Sequence, residues 1–407
     1  MDIVKLGEKY GYDVEIFMQK GVSVGVELDG ENVDSFEYHS SIGYGIRVLK
    51  NNKVGFAYGN VLNEELLKKA MKNLVYDEYS SLAEPDKYKE PKGLFNKEVC
   101  NLTEEELLDR LLEMKEINAN ILSGGVYKSI SYFRLINSYG LDVEERQTFF
   151  SANISIMLNG ETAYEYKTDH KLFNTREVSE RAVELAKNSA NGKKIRYKGI
   201  IILSPRALSN LLYYTLYPAF SAENVQRNRS YLKDKLGEEV FSKNITIVDD
   251  NSLDYALYSE KCDAEGVKSQ RTVLVENGVL KSYLYDIKRA NVESKESTSN
   301  CSRGYSTLPS IAPTNFIIEE KEKNDFDEYV YINDIIGAHT SNPITGDFSI
   351  EIKNSYLYKK GEIIGLKKGL FSGNIFKLFK NAIPLNDSEQ RGHLISPSIA
   401  FEGEIIN

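Results

Sequence analysis

The chain has 407 residues, 41% hydrophobic and 27% charged, with a formal net charge of -9. That length supports two or three domains with ample core. The acidic balance argues against a nucleic-acid binder, which needs a basic face, and no apolar run approaches the ~20 residues of a membrane span. Asp2, Lys5, Glu8 and Lys9 break up the segment after Met1, so no signal peptide is expected and the protein is predicted to be cytoplasmic. Three scattered cysteines, Cys100, Cys262 and Cys301, suggest neither a disulfide framework nor a zinc knuckle.

In chain order, the first sixty residues read as antiparallel strands. Residues 13–18 are strand-like, and Val22, Val24, Val26 and Leu28 keep a period of two up to the turn Asp29-Gly30. Segments 33–38, 42–48 and 54–58 continue the pattern. Asn63 caps a helix with Leu66, Leu67, Ala70 and Leu74 on one face. Residues 85–91 form a charged linker bounded by prolines, and Thr103 with Glu106 has capping-box spacing for the next helix. Strands are expected around 126–137 and 148–158, then a helix from about 175 to 190 ending near Gly192. A buried strand at 199–203 leads through Ser204-Pro205 into an apolar helix running to Phe220. From Ile245 onward the pattern is mostly β, with Asn277-Gly278 as a hairpin turn and 293–305 as a mobile polar loop. Late strands are expected at 316–319, 329–332, 348–352, 355–358 and 363–366. The fold class is α+β: an N-terminal domain of antiparallel sheet plus helices at 1–84, a helix-and-strand segment at 85–195, and a large β-rich domain at 196–407.

Short catalytic patterns do not survive their context. Gly21-Val22-Ser23-Val24-Gly25 matches a nucleophile elbow, but the residues after Ser23 continue a strand where the elbow needs a helix. Gly43-Tyr44-Gly45 lacks the third glycine and helix of a dinucleotide loop. His39, His170, His339 and His393 are too isolated to form a paired-histidine zinc site on one helix. The acidic neighbourhood of Asp249, Asp250, Asp254, Asp263 and Glu265 is expected to cap turns and face solvent.

Residues 337–349, GAHTSNPITGDFS, stand out as a turn-rich loop after a strand. Pro343, Gly337 and Gly346 exclude a helix or central strand. His339, Thr340, Asn342, Thr345, Gly346 and Asp347 are its candidate contact residues for substrate or partner. A self-satisfied turn, with Asn342 and Asp347 bonding their own backbone, is the plainer reading of the same composition.

Nearly the whole chain resembles the TldD/PmbA family, described as modulators of DNA gyrase and associated with proteolysis. The resemblance is carried by Ser41-x-Gly43-x-Gly45-x-Arg47-Val48, Leu203-Ser204-Pro205-Arg206-Ala207, Ile247-Val248-Asp249-Asp250, Asp263-Ala264-Glu265-Gly266 and Gln270-Arg271-Thr272, in that order. Gly337-Ala338-His339-Thr340 and Ser396-Pro397-Ser398-Ile399 are similar to the PmbA (TldE) branch. The family implies a two-subunit metallopeptidase acting on unfolded peptides. Its TldD branch bears H-E-x-x-x-H on the helix after the 199–203 strand, where this chain has Tyr213, Tyr214 and Pro218, and a further cysteine near its end, well beyond Cys301. The resemblance thus implies a partner subunit with no cofactor or metal of its own and no catalytic residue to carry over, zinc residing in a TldD-type partner. A self-dimeric peptide-binding scaffold without hydrolytic activity is the alternative. Activity of this chain alone, through a metal at His339 and Asp347 or through a serine, is a third.

Overall fold

The computed structural model describes residues 2–321 and 325–406. After α1 (Ile3–Lys9), two long strands, β1 (Asp13–Asp29) and β2 (Asn32–Leu49), form one ribbon with Asp13 opposite Leu49. The segments expected at 13–18, 22–28, 33–38 and 42–48 are therefore two continuous strands. Gly25 and Gly43, inside these strands, make room for aromatic rings. A Cβ on Gly25 would lie 2.2 Å from the Tyr127 ring, and one on Gly43 would lie 2.3 Å from Tyr305.

The ribbon is extended by β3 (Lys53–Gly59), α2 (Glu64–Lys72) and β4 (Val75–Tyr76), then by α3 (Lys97–Asn101), α4 (Glu104–Met114), β5 (Asn120–Asn137), β6 (Asp142–Leu158), β7 (Glu161–Asp169) and α5 (Arg176–Ser189). The strands form one antiparallel sheet in the order β4-β3-β2-β1-β5-β6-β7, so residues 1–84 and 85–195 share it. Asn63 caps α2 through the Leu66 N–H, and Thr103 with Glu106 completes a capping box on α4, as their spacing predicts. Helices α1 and α2 bury Leu67 and Ala70 against Val14, Ile46 and Val48 at one end. Helices α4 and α5 bury Leu107, Leu111 and Ala182 against Val126, Phe150 and Ile154 at the other.

The remaining chain begins with β8 (Tyr197–Leu203), α6 (Pro205–Thr215), α7 (Tyr217–Phe220) and α8 (Ala222–Gln226). Ser204 caps α6 as expected. The apolar helix divides near Leu216 because Pro218, lacking an N–H, cannot continue the ladder and sits in the first turn of α7. Then come β9 (Ile247–Asp250), β10 (Arg271–Glu276), β11 (Val279–Leu280), α9 (Ile287–Val292), β12 (Cys301–Ser302), β13 (Ser310–Ile311) and β14 (Phe316–Ile318). Asn277 and Gly278, at φ 46 and 82°, form the predicted hairpin turn. The last elements are β15 (Glu328–Ile336), β16 (Asp347–Lys359), β17 (Glu362–Gly365), β18 (Leu370–Asn374), α10 (Ile375–Leu378), β19 (Ile383–Pro384), β20 (Glu389–Arg391), β21 (Leu394–Ser396) and β22 (Ile399–Ile406).

Two sheets share the large C-terminal core: β11-β10-β9-β14-β21-β20, and β15-β8-β22-β18-β16-β17. Because β15 also pairs with β16, strands β15, β8, β22, β18 and β16 close into a ring.

Two expectations are corrected here. Segment 293–305 is no mobile loop: Ser299, Asn300 and Cys301 are buried, and Asn300 donates to Asp249 at 2.7 Å. Asp249, Asp250, Asp263 and Glu265 do not face solvent but are buried. Asp263 does cap a turn, accepting the Glu265 and Val267 N–H groups.

A Cβ on Gly45 would sit 2.5 Å from the Tyr305 carbonyl oxygen. Gly45→Ala is expected to destabilise the protein by about 1–3 kcal/mol through overpacking, read as a lower urea midpoint with an unchanged m-value.

Candidate functional site

The loop at 337–349 brings its six candidate residues together in one turn, five of them exposed and Gly346 buried. Gly337 and Gly346 adopt φ of 91 and 79°, conformations that favour glycine. Asn342 Oδ1 accepts the N–H groups of Ile344 and Thr345, and Asp347 accepts from Thr345 Oγ1 at 2.7 Å and Asn374 Nδ2 at 2.8 Å. These bonds satisfy much of the turn internally and hold the Asp347 carboxyl below its usual range, Asn374 contributing most. Thr340 donates to the Gly337 carbonyl, while His339 extends outward.

The loop lies beside α6. The His339 ring is 6.5 Å from that of Tyr214, which meets Tyr213 edge-on at 4.9 Å. Tyr213 in turn lies 6.3 Å from Tyr217, whose buried hydroxyl has no hydrogen-bond partner among the described residues. Tyr213, Tyr214 and His339 are exposed, giving an aromatic face. Among the described residues, no group of three or more His, Cys, Asp or Glu side chains is placed to hold a metal ion. Nor, among them, is any helix long and apolar enough to cross a membrane. Ser23, inside the elbow-like pattern, lies mid-strand in β1 with β2 and β5 on either side.

What joins the first sheet to the C-terminal region is buried charge that sequence reading missed. Arg47 on β2 grips Glu15 on β1 with two bonds of 3.1 and 3.0 Å and reaches Glu265 at 2.9 Å. Arg303 adds a 2.7 Å contact to Glu15. Burial acts to raise the Glu15 pKa, but Arg303 and Arg47 outweigh it and hold the carboxyl below its ordinary value. A second network links Glu165 on β7 to Arg391 at 2.6 Å, while Arg181 on α5 holds Glu389 by two bonds and Arg206 on α6 pairs with Asp334 at 2.9 Å. The signal for the first network was present as Arg47 in one motif and Glu265 in another, but nothing in one sequence pairs residues 218 positions apart.

Between these networks lie two cavities that share Phe149, Leu257 and Tyr258 in their walls. One, of about 530 Å³, is bounded by Tyr166, Arg181, Glu389 and Arg391. The other, of about 240 Å³, is bounded by Phe133, Glu145, Glu260, Arg303 and His393. Burial raises the Glu145 pKa to about 7, against the Lys261 N–H and Gln147 amide that favour its charged form. Burial, reinforced by the charge of Glu145, pushes Glu260 well up. Burial lowers His393, whose Nδ1 donates to the Thr314 carbonyl at 2.9 Å.

Models of the PmbA/TldA metallopeptidase family match residues 14–75 as domain 1, 97–190 as the central domain and 197–406 as the C-terminal domain. The chain belongs to the PmbA/TldD family. A Methanocaldococcus jannaschii member is 62% identical over all of this chain and 99% of its own. A second protein of that organism, named a metalloprotease, is 25% identical over 93% of this chain and 90% of its own. The crystal structure of TldE from Thermococcus kodakarensis superposes with a TM-score of 0.91 at 26% identity, covering 100% and 99% of the two chains. Within this PmbA/TldD fold, Gly43, Gly45, Arg47 and Glu265 all meet at the contact between the first sheet and the C-terminal region.

Two outcomes follow. Arg47→Met leaves Glu15 and Glu265 short of a buried countercharge and is expected to cost about 3–5 kcal/mol in urea unfolding. Glu145 and Asp263 are both raised to about 7, each by burial first, so they bind protons in the folded state that the unfolded chain has released. Their stabilisation is full below about pH 4 and is lost as pH rises to about 7. The slope of melting temperature against pH across that window is expected to flatten in Glu145→Gln.

Proposed function

We propose that this chain is a PmbA/TldE-type subunit that pairs with a TldD-type metallopeptidase acting on unfolded peptides, and that it carries no catalytic metal itself. The observation that carries this reading is the α6–α7 region. Where the metal-bearing branch has its H-E-x-x-x-H ligands, this chain has Tyr213, Tyr214 and, beyond the helix break, Pro218. A phenol must lose a proton with a pKa near 10 to ligate zinc, and proline offers no ligand atom. The likeness to the T. kodakarensis TldE supports the branch. The occurrence in M. jannaschii of both a 62% identical relative and a more distant member named a metalloprotease supports a pair of unlike subunits.

In this reading the chain's contribution is positional. Tyr213, Tyr214 and His339 present an exposed aromatic face, with the turn from Asn342 to Asp347 fixed beside it by its own hydrogen bonds. Aromatic rings bring large contact area at low entropy cost, which suits binding of extended peptides of varied sequence.

Co-expression with a TldD-type member from the same organism is expected to yield a co-purifying complex that cleaves unfolded peptides faster than the partner alone. Tyr214→Ala in that complex is expected to lower kcat/KM by roughly tenfold, equivalent to about 1.4 kcal/mol. Failure to co-purify, with no gain in cleavage, would sink the pairing. A stable self-dimer that binds peptide but is inactive in every mixture would favour the scaffold alternative.

A further inference from the structure

Half of one side of β2 is left open within the first sheet. Strand β3 pairs with β2 only from Tyr44 to Leu49. Lys50 and Lys53 exchange both backbone hydrogen bonds across the turn that joins these strands. Every second residue back from Lys50, as far as Tyr44, therefore turns its N–H and C=O toward β3. Ile42, Ser40, Tyr38 and Phe36 keep that phase, but β3 has ended, so their groups point outward. Beyond Phe36 the ladder to β1 shifts by one residue, Val26 pairing with Phe36 and Leu28 with Val33. Asn32 then faces Asp29 across the hairpin turn, which leaves Val33 as a fifth outward residue. Among the described residues, no hydrogen bond from outside the β1 ladder reaches the backbone of these five.

Their side chains share the face on which Val26 and Leu28 of β1 pack under α4. Val33, Phe36, Tyr38 and Ile42 are 40, 49, 67 and 39% exposed. The apolar face thus runs to the rim of the sheet and stops there without cover. Proteins protect such rims with lysine or proline, yet residues 33–42 contain no Lys, Arg or Pro.

The open rim is complementary to itself. Val33, Phe36, Tyr38, Ser40 and Ile42 stand level with Leu28, Val26, Val24, Val22 and Lys20 of β1, evenly spaced with Tyr38 in the middle. A second copy turned about a two-fold axis at Tyr38 runs antiparallel and meets outward residue with outward residue at every step. Tyr38 then faces its own counterpart, Phe36 faces Ser40, and Val33 faces Ile42. Between these rows each Glu37 carboxylate opposes the ring donor of His39. An axis at Glu37 or His39 instead opposes two carboxylates or two imidazoles and leaves the end residues unmatched. The ends also fit: Asn32 of the copy falls level with Gly43, one residue short of Tyr44, where β3 begins.

We propose that the β2 rim from Val33 to Ile42 is a self-association surface, pairing antiparallel with the same rim of a second copy about an axis at Tyr38. The first sheet then continues across the contact, and the apolar row is covered by its counterpart. The inference does not rest on pairing with a TldD-type subunit and uses no residue of the α6 face.

Analytical ultracentrifugation of the purified full-length chain, alone at micromolar concentration, tests it, and a dimer is expected. Ser40→Pro removes an outward donor that no strand of the same chain uses, and Tyr38→Lys sets two like charges opposite one another. Each is expected to raise the dimer dissociation constant at least tenfold while keeping the wild-type circular dichroism spectrum. In a Cys100→Ser background, Tyr38→Cys places two thiols at the axis, where the Cα separation of about 5.5 Å in a hydrogen-bonded pair admits a disulfide. Air oxidation is expected to cross-link that variant, while Phe36→Cys, offset from its own counterpart, stays uncross-linked. A monomeric chain, a dimer undiminished by folded Ser40→Pro, or failure of Tyr38→Cys to cross-link overturns the surface. A chain that is monomeric alone, but loses its complex with a TldD-type subunit on Ser40→Pro, gives the rim to that unlike partner. That outcome overturns self-pairing while upholding the pairing of unlike subunits.

Discussion

The structure turns on one buried arrangement: two arginines and two glutamates, contributed by four distant parts of the chain. Glu15 and Arg47 are neighbours across the β1–β2 ladder, paired in register as residues 15 and 47. Each alone would be an expensive charge beneath a sheet. Together with Glu265 and Arg303 they satisfy one another only when the C-terminal region sits in one position on the first sheet. Apolar contact could hold the two parts together, but it would tolerate sliding. Charge with fixed hydrogen-bond geometry does not. The glycines at 43 and 45 serve the same contact, because Tyr305 can approach the ribbon only where no Cβ intervenes.

The second ionic network, around Glu165 and Arg391, pins the far side of the sheet. With both sides fixed, the space between them cannot collapse, and cavities lined by titratable groups persist there. The aromatic face on α6 is a separate feature, lying beside the 337–349 turn.

Much of this was legible in the sequence, and the failures have common physical causes. Caps at Asn63, Thr103 and Ser204 and the Asn277-Gly278 turn were readable because their chemistry is local. So was the internally bonded character of the Asn342 turn. The long strands were read as shorter pieces because the polar stretches at 19–21 and 39–41 carry no apolar alternation, and only pairing with neighbouring strands shows that the chain stays extended through them. The acidic residues at 249–265 were placed in solvent because a carboxylate without a visible partner belongs there. Their partners, among them Arg47, Asn300 and Thr314, come from distant sequence. Segment 293–305 looked mobile by composition, yet its Asn300 side chain donates to Asp249 and its Cys301 N–H to Asp263.

The closed ring of β15, β8, β22, β18 and β16 has a consequence for how the chain is made. Strand β8, at 197–203, is flanked on one side by 330–332 and on the other by 399–405. Neither neighbour exists when β8 leaves the ribosome, so a strongly apolar strand must wait while some two hundred further residues are synthesised. Contacts of such long separation close slowly, and an unpaired edge of this kind invites intermolecular pairing. The first sheet, whose strands lie between 13 and 169, can form earlier and offer the C-terminal half a finished surface to assemble on. The order of synthesis thus favours a vectorial path in which the ring closes last.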